Sequence, residues 1–279
     1  MNAPEAIASL AAVAPAYKAI FCDVWGVVHD GVAKHAAAEA ALTAARRAGC
    51  HVVLLTNSPR PNEGVRRQLD GLSFSPEAYD AIVTSGDVTR RLIAETGRPL
   101  LHVGPQRDLD LFAGLAAEFV DEARAEAVIV TGLHDDTTET PADYAPLLER
   151  LKRRDLPMIC ANPDVVVHRG ERLIFCAGAI ARDYERLGGR VAMAGKPHAP
   201  IYAEAQRVAG VAGPAEVLAV GDGLNTDIRG ANAYGADALL IMAGVHRDEL
   251  GGFDVAGEVL GAHLGGQDLA ARFFMPRLV

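Results

Sequence analysis

Six residues stand where short apolar runs give way to polar groups, and their types fit one kind of chemistry. Asp23 closes the run from Tyr17 to Cys22, and Thr56 and Asn57 close the run His51 to Leu55. Lys196 follows Val191 to Gly195, Asp222 follows Val217 to Gly221, and Asp227 comes one loop later. A carboxylate at the end of a buried strand is costly to desolvate unless it has a partner or a task. Asp222 and Asp227 side by side would repel without a cation between them, and oxygen ligands of this hardness suit Mg²⁺. The Thr56 hydroxyl and the turn amides near Asn57 suit a phosphate. Lys196, fixed between Gly195 and Pro197, could hold an anion as a point charge. Each has a plainer reading beside it: a turn-capping Asp23, a locally capped Thr56-Asn57-Ser58 turn, a solvated Lys196. For the Asp222–Asp227 loop the plainer reading is a helix capped by Asn225 or Thr226.

The elements that must carry these residues follow from the apolar pattern. Ala36 to Ala48 is rich in helix formers and stops at Gly49, a residue suited to ending a helix. Strand, helix, strand in so short a span predicts a right-handed unit with parallel strands, placing Asp23 and Thr56 on one carboxyl edge, where open α/β sheets bind ligands. A third strand is expected at Ala81 to Thr84, with a helix after it to about Glu95. Further strands are expected at Leu100 to Val103, Ala127 to Val130 and Pro157 to Cys160, and a core strand at Val191. The fold class is α/β.

These pieces, in this order, resemble the four motifs of the haloacid dehalogenase-like superfamily. Asn162-Pro163-Asp164, Cys176-Ala177-Gly178-Ala179 and Gly195-Lys196-Pro197 resemble the later half of its class IIA branch, which contains p-nitrophenyl-phosphate and sugar- or nucleotide-phosphate phosphatases. The resemblance runs from about Tyr17 to Gly244. It implies a Rossmann-like parallel-sheet core made of residues 1–85 and 190–279. Residues 86–189 would be an inserted α/β cap of the C2 type. It also implies phosphoryl transfer from a small phosphate ester to Asp23. Mg²⁺ would be held by Asp23, the carbonyl of Trp25, Asp222 and Asp227, and Thr56, Asn57 and Lys196 would bind the phosphoryl group. Asn162, Asp164 and Arg169 are the expected specificity residues, and a homodimer is compatible with the resemblance.

Position 25 departs from the family pattern. Most phosphatases of the superfamily carry a second Asp two residues after the nucleophile, to protonate the leaving oxygen and later activate water. Here that residue is Trp25, the single tryptophan of the chain. Indole does not exchange its proton at neutral pH, and a positioned acid/base contributes about 10²–10⁴-fold. His29 and Asp30 are candidate substitutes, against a plainer reading as a turn pair. The alternative to an efficient hydrolase is therefore a catalytically weak protein that binds phosphorylated metabolites.

Composition narrows the field. The chain has 279 residues, half of them hydrophobic, enough for a large core or two units. A net charge of −9 argues against a nucleic-acid partner. The one basic knot, Arg150 to Arg154, is expected at the solvated end of a helix. No apolar run approaches the roughly eighteen residues of a membrane span. Met1 to Ala16 lacks the basic start of a signal peptide and is expected to form a short amphipathic helix against the first strand. The four cysteines, Cys22, Cys50, Cys160 and Cys176, lack metal-ligand spacing and read as reduced core residues of a cytoplasmic protein.

Overall fold

The computed structural model describes residues 3–169, 172–243, 252 and 255–279. Its strands run along the chain as β1 (Glu5–Ala6), β2 (Ala19–Asp23), β3 (His51–Thr56) and β4 (Ala81–Thr84). β5 (Leu100–Val103), β6 (Ala127–Val130), β7 (Met158–Cys160), β8 (Val166–Arg169) and β9 (Arg172–Phe175) follow. The last are β10 (Val191–Met193), β11 (Val217–Gly221), β12 (Asp237–Ile241) and β13 (Phe273–Met275). The chain folds as two units, the first comprising Met1–Thr56, Glu63–Val83 and Lys196–Val279, the second Asn57–Asn62 and Thr84–Gly195.

The first unit is built on a seven-stranded sheet of order β1-β13-β12-β11-β2-β3-β4. β2 is an inner strand, parallel to β3 on one side and to the central β11 on the other, with Asp23 opposite Leu55 and Cys22 opposite Val220. Every residue of β2 and β11 is buried, the mark of a parallel sheet covered on both faces. Alternation divides the strands between two cores. Ile20, Cys22, Val52 and Leu54 pack with Ala38, Leu42 and Ala45 of the helix Ala36–Arg47. On the opposite face Ala219, Ala238 and Leu240 pack with Leu260 and Leu264. Cys22 thus points away from the face that carries Phe21 and Asp23, and burial raises its thiol pKa.

The second unit has a four-stranded parallel sheet, β10-β7-β6-β5, and the antiparallel pair β8–β9. One core joins Val128, Val130, Met158 and Cys160 to Leu148, Leu151, Ile180 and Tyr184; the other joins Leu100 and Ile129 to Ile93 and Phe112. Residues 57–62 belong here because Ser58 O accepts from the Gly86 amide at 3.1 Å and Asp87 Oδ1 accepts from the Asn62 side chain at 3.1 Å. A Cβ at Gly86 would lie 2.4 Å from the carbonyl oxygen of Pro59, so glycine permits that approach.

Three expectations are corrected. The strand at Val191 pairs in parallel with Met158–Cys160, so it belongs to the second sheet and the boundary falls between Gly195 and Lys196. At the other end of the insertion the boundary falls at Thr84, whose hydroxyl caps the helix Ser85–Thr96. The N-terminal segment forms no amphipathic α-helix among its described residues. Glu5–Ala6 adds a short strand beside Phe273–Phe274, and Leu10–Ala12 and Ala14–Ala16 form single 3₁₀ turns, with Pro15 unable to donate to a continuing helix. Lys152 to Arg154 do close the helix Ala145–Arg153, while Leu151 is buried and Arg150 is paired with Glu122. No helix among the described residues is long and apolar enough to cross a membrane.

Candidate active site

The carboxyl edge of the first sheet gathers Asp23, Asp222, Asp227 and Lys196, all buried. Asp23 is the last residue of β2, and Asp222 follows β11 directly. Asp227 returns to the same edge because Leu224–Ile228 makes a π-helical turn, with Asp227 Oδ2 accepting from the Gly223 amide at 2.9 Å. Neither Asn225 nor Thr226 caps the segment; the amides of Asp227 and Ile228 bond to the Gly223 carbonyl, and that of Arg229 to the carbonyls of Leu224 and Thr226. The three carboxylates offer ligand atoms within 4.8 Å of one another.

Lys196 ties the cluster together. Its ammonium donates to Asp23 Oδ1 at 2.5 Å, Asp227 Oδ1 at 2.6 Å and the Leu55 carbonyl at 3.1 Å. Burial would lower the lysine's pKa, but Asp227 and Asp23 outweigh it and the net shift is upward. Burial, then repulsion from Asp227, raises the Asp23 carboxyl well above its ordinary range against the pull of Lys196. Three buried carboxyl groups face one ammonium, so acidic groups outnumber the single cation here. That imbalance and the all-oxygen acidic donor set fit a hard divalent cation.

Glycines allow the carboxylates to close in. A Cβ at Gly26, whose φ is +86°, would lie 2.6 Å from Asp222 Oδ2. A Cβ at Gly221 would lie 2.2 Å from Asp227 Cγ. Both ties are invisible in sequence, although glycines beside Asp222 and after Trp25 are the available signal. Beneath the cluster a cavity of 10 Å³, about one water in size, is bordered by Tyr202, Asp23 and Asp227.

Thr56 ends β3 one residue beyond the register partner of Asp23, and is buried. Asn57, the next residue, belongs to the second unit, where its amide donates to Asp164 Oδ1 at 3.3 Å. Asn162 Oδ1 accepts from the Asp164 amide at 3.0 Å, and a Cβ at Gly195 would meet Asn57 Oδ1 at 2.5 Å. Asn162 and Asp164 therefore hold this loop together. Arg169 ends β8, and its side chain lies outside the described residues.

The Trp25 side chain is 57% exposed and packs edge-on to His29, with ring centroids 5.2 Å apart. Gly31, at φ +91°, lies so close that a Cβ there would sit 2.3 Å from Trp25 Cη2. His29 is buried, its Nδ1 accepts from the Gly31 amide at 2.9 Å, and burial lowers its pKa. Asp30 Oδ1 accepts from the Val32 and Ala33 amides at 2.9 and 2.8 Å. The Ala33 and Val32 amides hold its carboxyl below the usual range. The turn-pair reading describes both.

Comparisons with known proteins bear on this geometry. The model of the haloacid dehalogenase-like hydrolases matches residues 20–118, and a second model, HAD-hydrolase-like, matches residues 193–262. A hydrolase of the haloacid dehalogenase-like family from Brucella suis 1330 is 47% identical over 99% of this chain and 100% of its own, with a TM-score of 0.79. The glycerol phosphate phosphatase of Mycobacterium tuberculosis, in complex with calcium, is 25% identical over 84% of this chain and 68% of its own, with a TM-score of 0.64. The p-nitrophenyl phosphatase of Archaeoglobus fulgidus shares the fold at 21% identity, over 94% of this chain and 96% of its own, with a TM-score of 0.72. No curated protein matches by sequence.

Proposed function

The chain belongs to the haloacid dehalogenase-like hydrolase family, and on that footing we propose that it is a Mg²⁺-dependent hydrolase of a small phosphorylated metabolite, acting through an aspartyl-phosphate at Asp23. The observation that carries the reading is the meeting of three buried carboxylates at a single sheet edge, two of them bonded to one buried ammonium. The phosphatase names among the structural neighbours support the same reaction class.

Asp23, the carbonyl of Trp25, Asp222 and Asp227 would hold the metal. When bound, Mg²⁺ supplies positive charge that offsets the phosphoryl oxygens and the crowded carboxylates. Asp23 attacks phosphorus in line, dividing one difficult hydrolysis into two displacements. Lys196 holds the attacking carboxylate in place and adds charge beside it. Thr56 and the backbone amide of Asn57 are assigned to the phosphoryl oxygens. Substrate choice is assigned to the second unit.

Trp25 favours a second reading, a protein that binds phosphorylated metabolites or accepts a phosphoryl group at Asp23 with slow turnover. A phosphatase screen over many metabolites, with and without Mg²⁺, separates the two. Hydrolysis that needs Mg²⁺ and is lost in Asp23→Asn supports the enzyme; binding without turnover supports the second reading. In titration calorimetry Mg²⁺ binding should vanish in Asp222→Ala, and unchanged binding there would refute the metal assignment.

A further inference from the structure

The loop of residues 24–35, which follows the nucleophile's strand, carries four titratable side chains, and each makes a hydrogen bond within the loop or with the elements beside it. His29 is 1% exposed, with Nδ1 taken by the Gly31 amide. Asp30 holds the Val32 and Ala33 amides. Lys34 Nζ reaches Glu39 Oε2 at 2.8 Å and the Ser73 carbonyl at 2.5 Å, and His35 Nδ1 lies 3.0 Å from the Val27 carbonyl. Lys196 spends its ammonium on Asp23, Asp227 and Leu55. At position 25 itself stands an indole, which donates a hydrogen bond without giving up its proton.

Resting on the phosphoryl-transfer reading above, we infer that this chain selects phosphoryl compounds whose leaving group departs as a stable anion, namely acyl or aryl phosphates, and turns over alkyl phosphates far more slowly. The reason is basicity. A departing carboxylate has a conjugate acid near pKa ~4 and a phenolate near ~10, whereas an alkoxide is about as basic as hydroxide and far more basic than either. Only the last needs a proton delivered as the bond breaks. The open indole of Trp25 adds an apolar surface suited to a flat leaving group.

In the first step an Asp23 carboxylate oxygen forms the new O–P bond. The bond from phosphorus to the leaving oxygen breaks, and its electron pair leaves with that oxygen as an unprotonated anion. In the second step water attacks phosphorus, the Asp23 carboxylate departs with its electron pair, and the water's protons remain on the released phosphate or pass to solvent.

The test is a series of kcat/KM values in Mg²⁺ for acetyl phosphate, p-nitrophenyl phosphate, phenyl phosphate and glycerol phosphate. The expected result is a steep fall with leaving-group basicity, glycerol phosphate lying at least about 10²-fold below p-nitrophenyl phosphate. Acetyl phosphate leading identifies acyl substrates and p-nitrophenyl phosphate leading identifies aryl ones; both support the inference. Trp25→Asp should raise glycerol phosphate turnover about tenfold or more and flatten the series. Should that variant not fold, the wild-type series decides alone. Glycerol phosphate hydrolysed as fast as p-nitrophenyl phosphate by wild type, with Asp23→Asn inactive, overturns this inference and leaves the phosphatase reading standing. No turnover of any of the four overturns both.

Discussion

Gly26, on the loop that leaves the nucleophile's strand, and Asp222, at the end of the neighbouring strand β11, approach so closely that a methyl group at position 26 would lie 2.6 Å from Oδ2 of the carboxylate. The backbone at Gly26 is also left-handed, with φ +86°. Gly26→Ala should therefore cost about 1–2 kcal/mol in backbone strain and displace Asp222. A displacement of this order should lower kcat/KM about 10²-fold. Melting temperature and steady-state kinetics check the two effects. A variant with wild-type activity would mean that Asp222 has no fixed task.

Lys196 is the one ammonium in contact with Asp23 and Asp227 among the described residues. Lys196→Met leaves the buried carboxylates uncompensated and should destabilise the fold by about 3–5 kcal/mol. Mg²⁺ should restore part of that loss, because binding to the folded state alone stabilises it. Lys196→Arg should not rescue activity, since a planar fork cannot replace a compact charge touching two carboxylates. Thermal denaturation with and without Mg²⁺ measures the effect. A loss of stability below about 1 kcal/mol would contradict the account.

His102, in the second unit, is partly buried, with Nε2 3.0 Å from Thr131 Oγ1 and its ring edge-on to Phe112. Burial, with the neighbouring His134, lowers its pKa from 6.5 to about 4. Between these values the unfolded chain binds the proton and the folded one does not. Stability should thus fall as pH drops from 6.5 towards 4, with His102 contributing about 1–2 kcal/mol after solvent screening. Denaturation midpoints for wild type and His102→Gln should diverge in slope within that window. Parallel profiles would rule the contribution out.

The sheet ends are legible in the chain because a continuous apolar run that stops at a polar residue marks a buried parallel strand and its edge. This holds for β2 at Asp23 and β3 at Thr56, and the helix Ala36–Arg47 is equally plain from its composition and Gly49. Val191–Met193 is not assigned correctly, because three apolar residues say nothing about which sheet they join. Glu5–Ala6 is a strand only by virtue of Phe273–Phe274, a pairing that no local pattern encodes. Asp227 reaches its place through a π-helical turn, and a hydrogen-bond pattern of that kind leaves no periodic signature in five residues. The closeness of Gly26 to Asp222 and of Gly221 to Asp227 is tertiary, so the sequence shows the glycines without the reason for them.

The central claim is that Asp23 takes the phosphoryl group. The direct measurement is mass spectrometry of protein acid-quenched milliseconds after mixing with p-nitrophenyl phosphate and Mg²⁺. The account predicts one added phosphoryl group on the peptide containing Asp23, with both the adduct and turnover lost in Asp23→Asn. A phosphoryl group on another residue, or an Asp23→Asn variant that turns over at the wild-type rate, would contradict it.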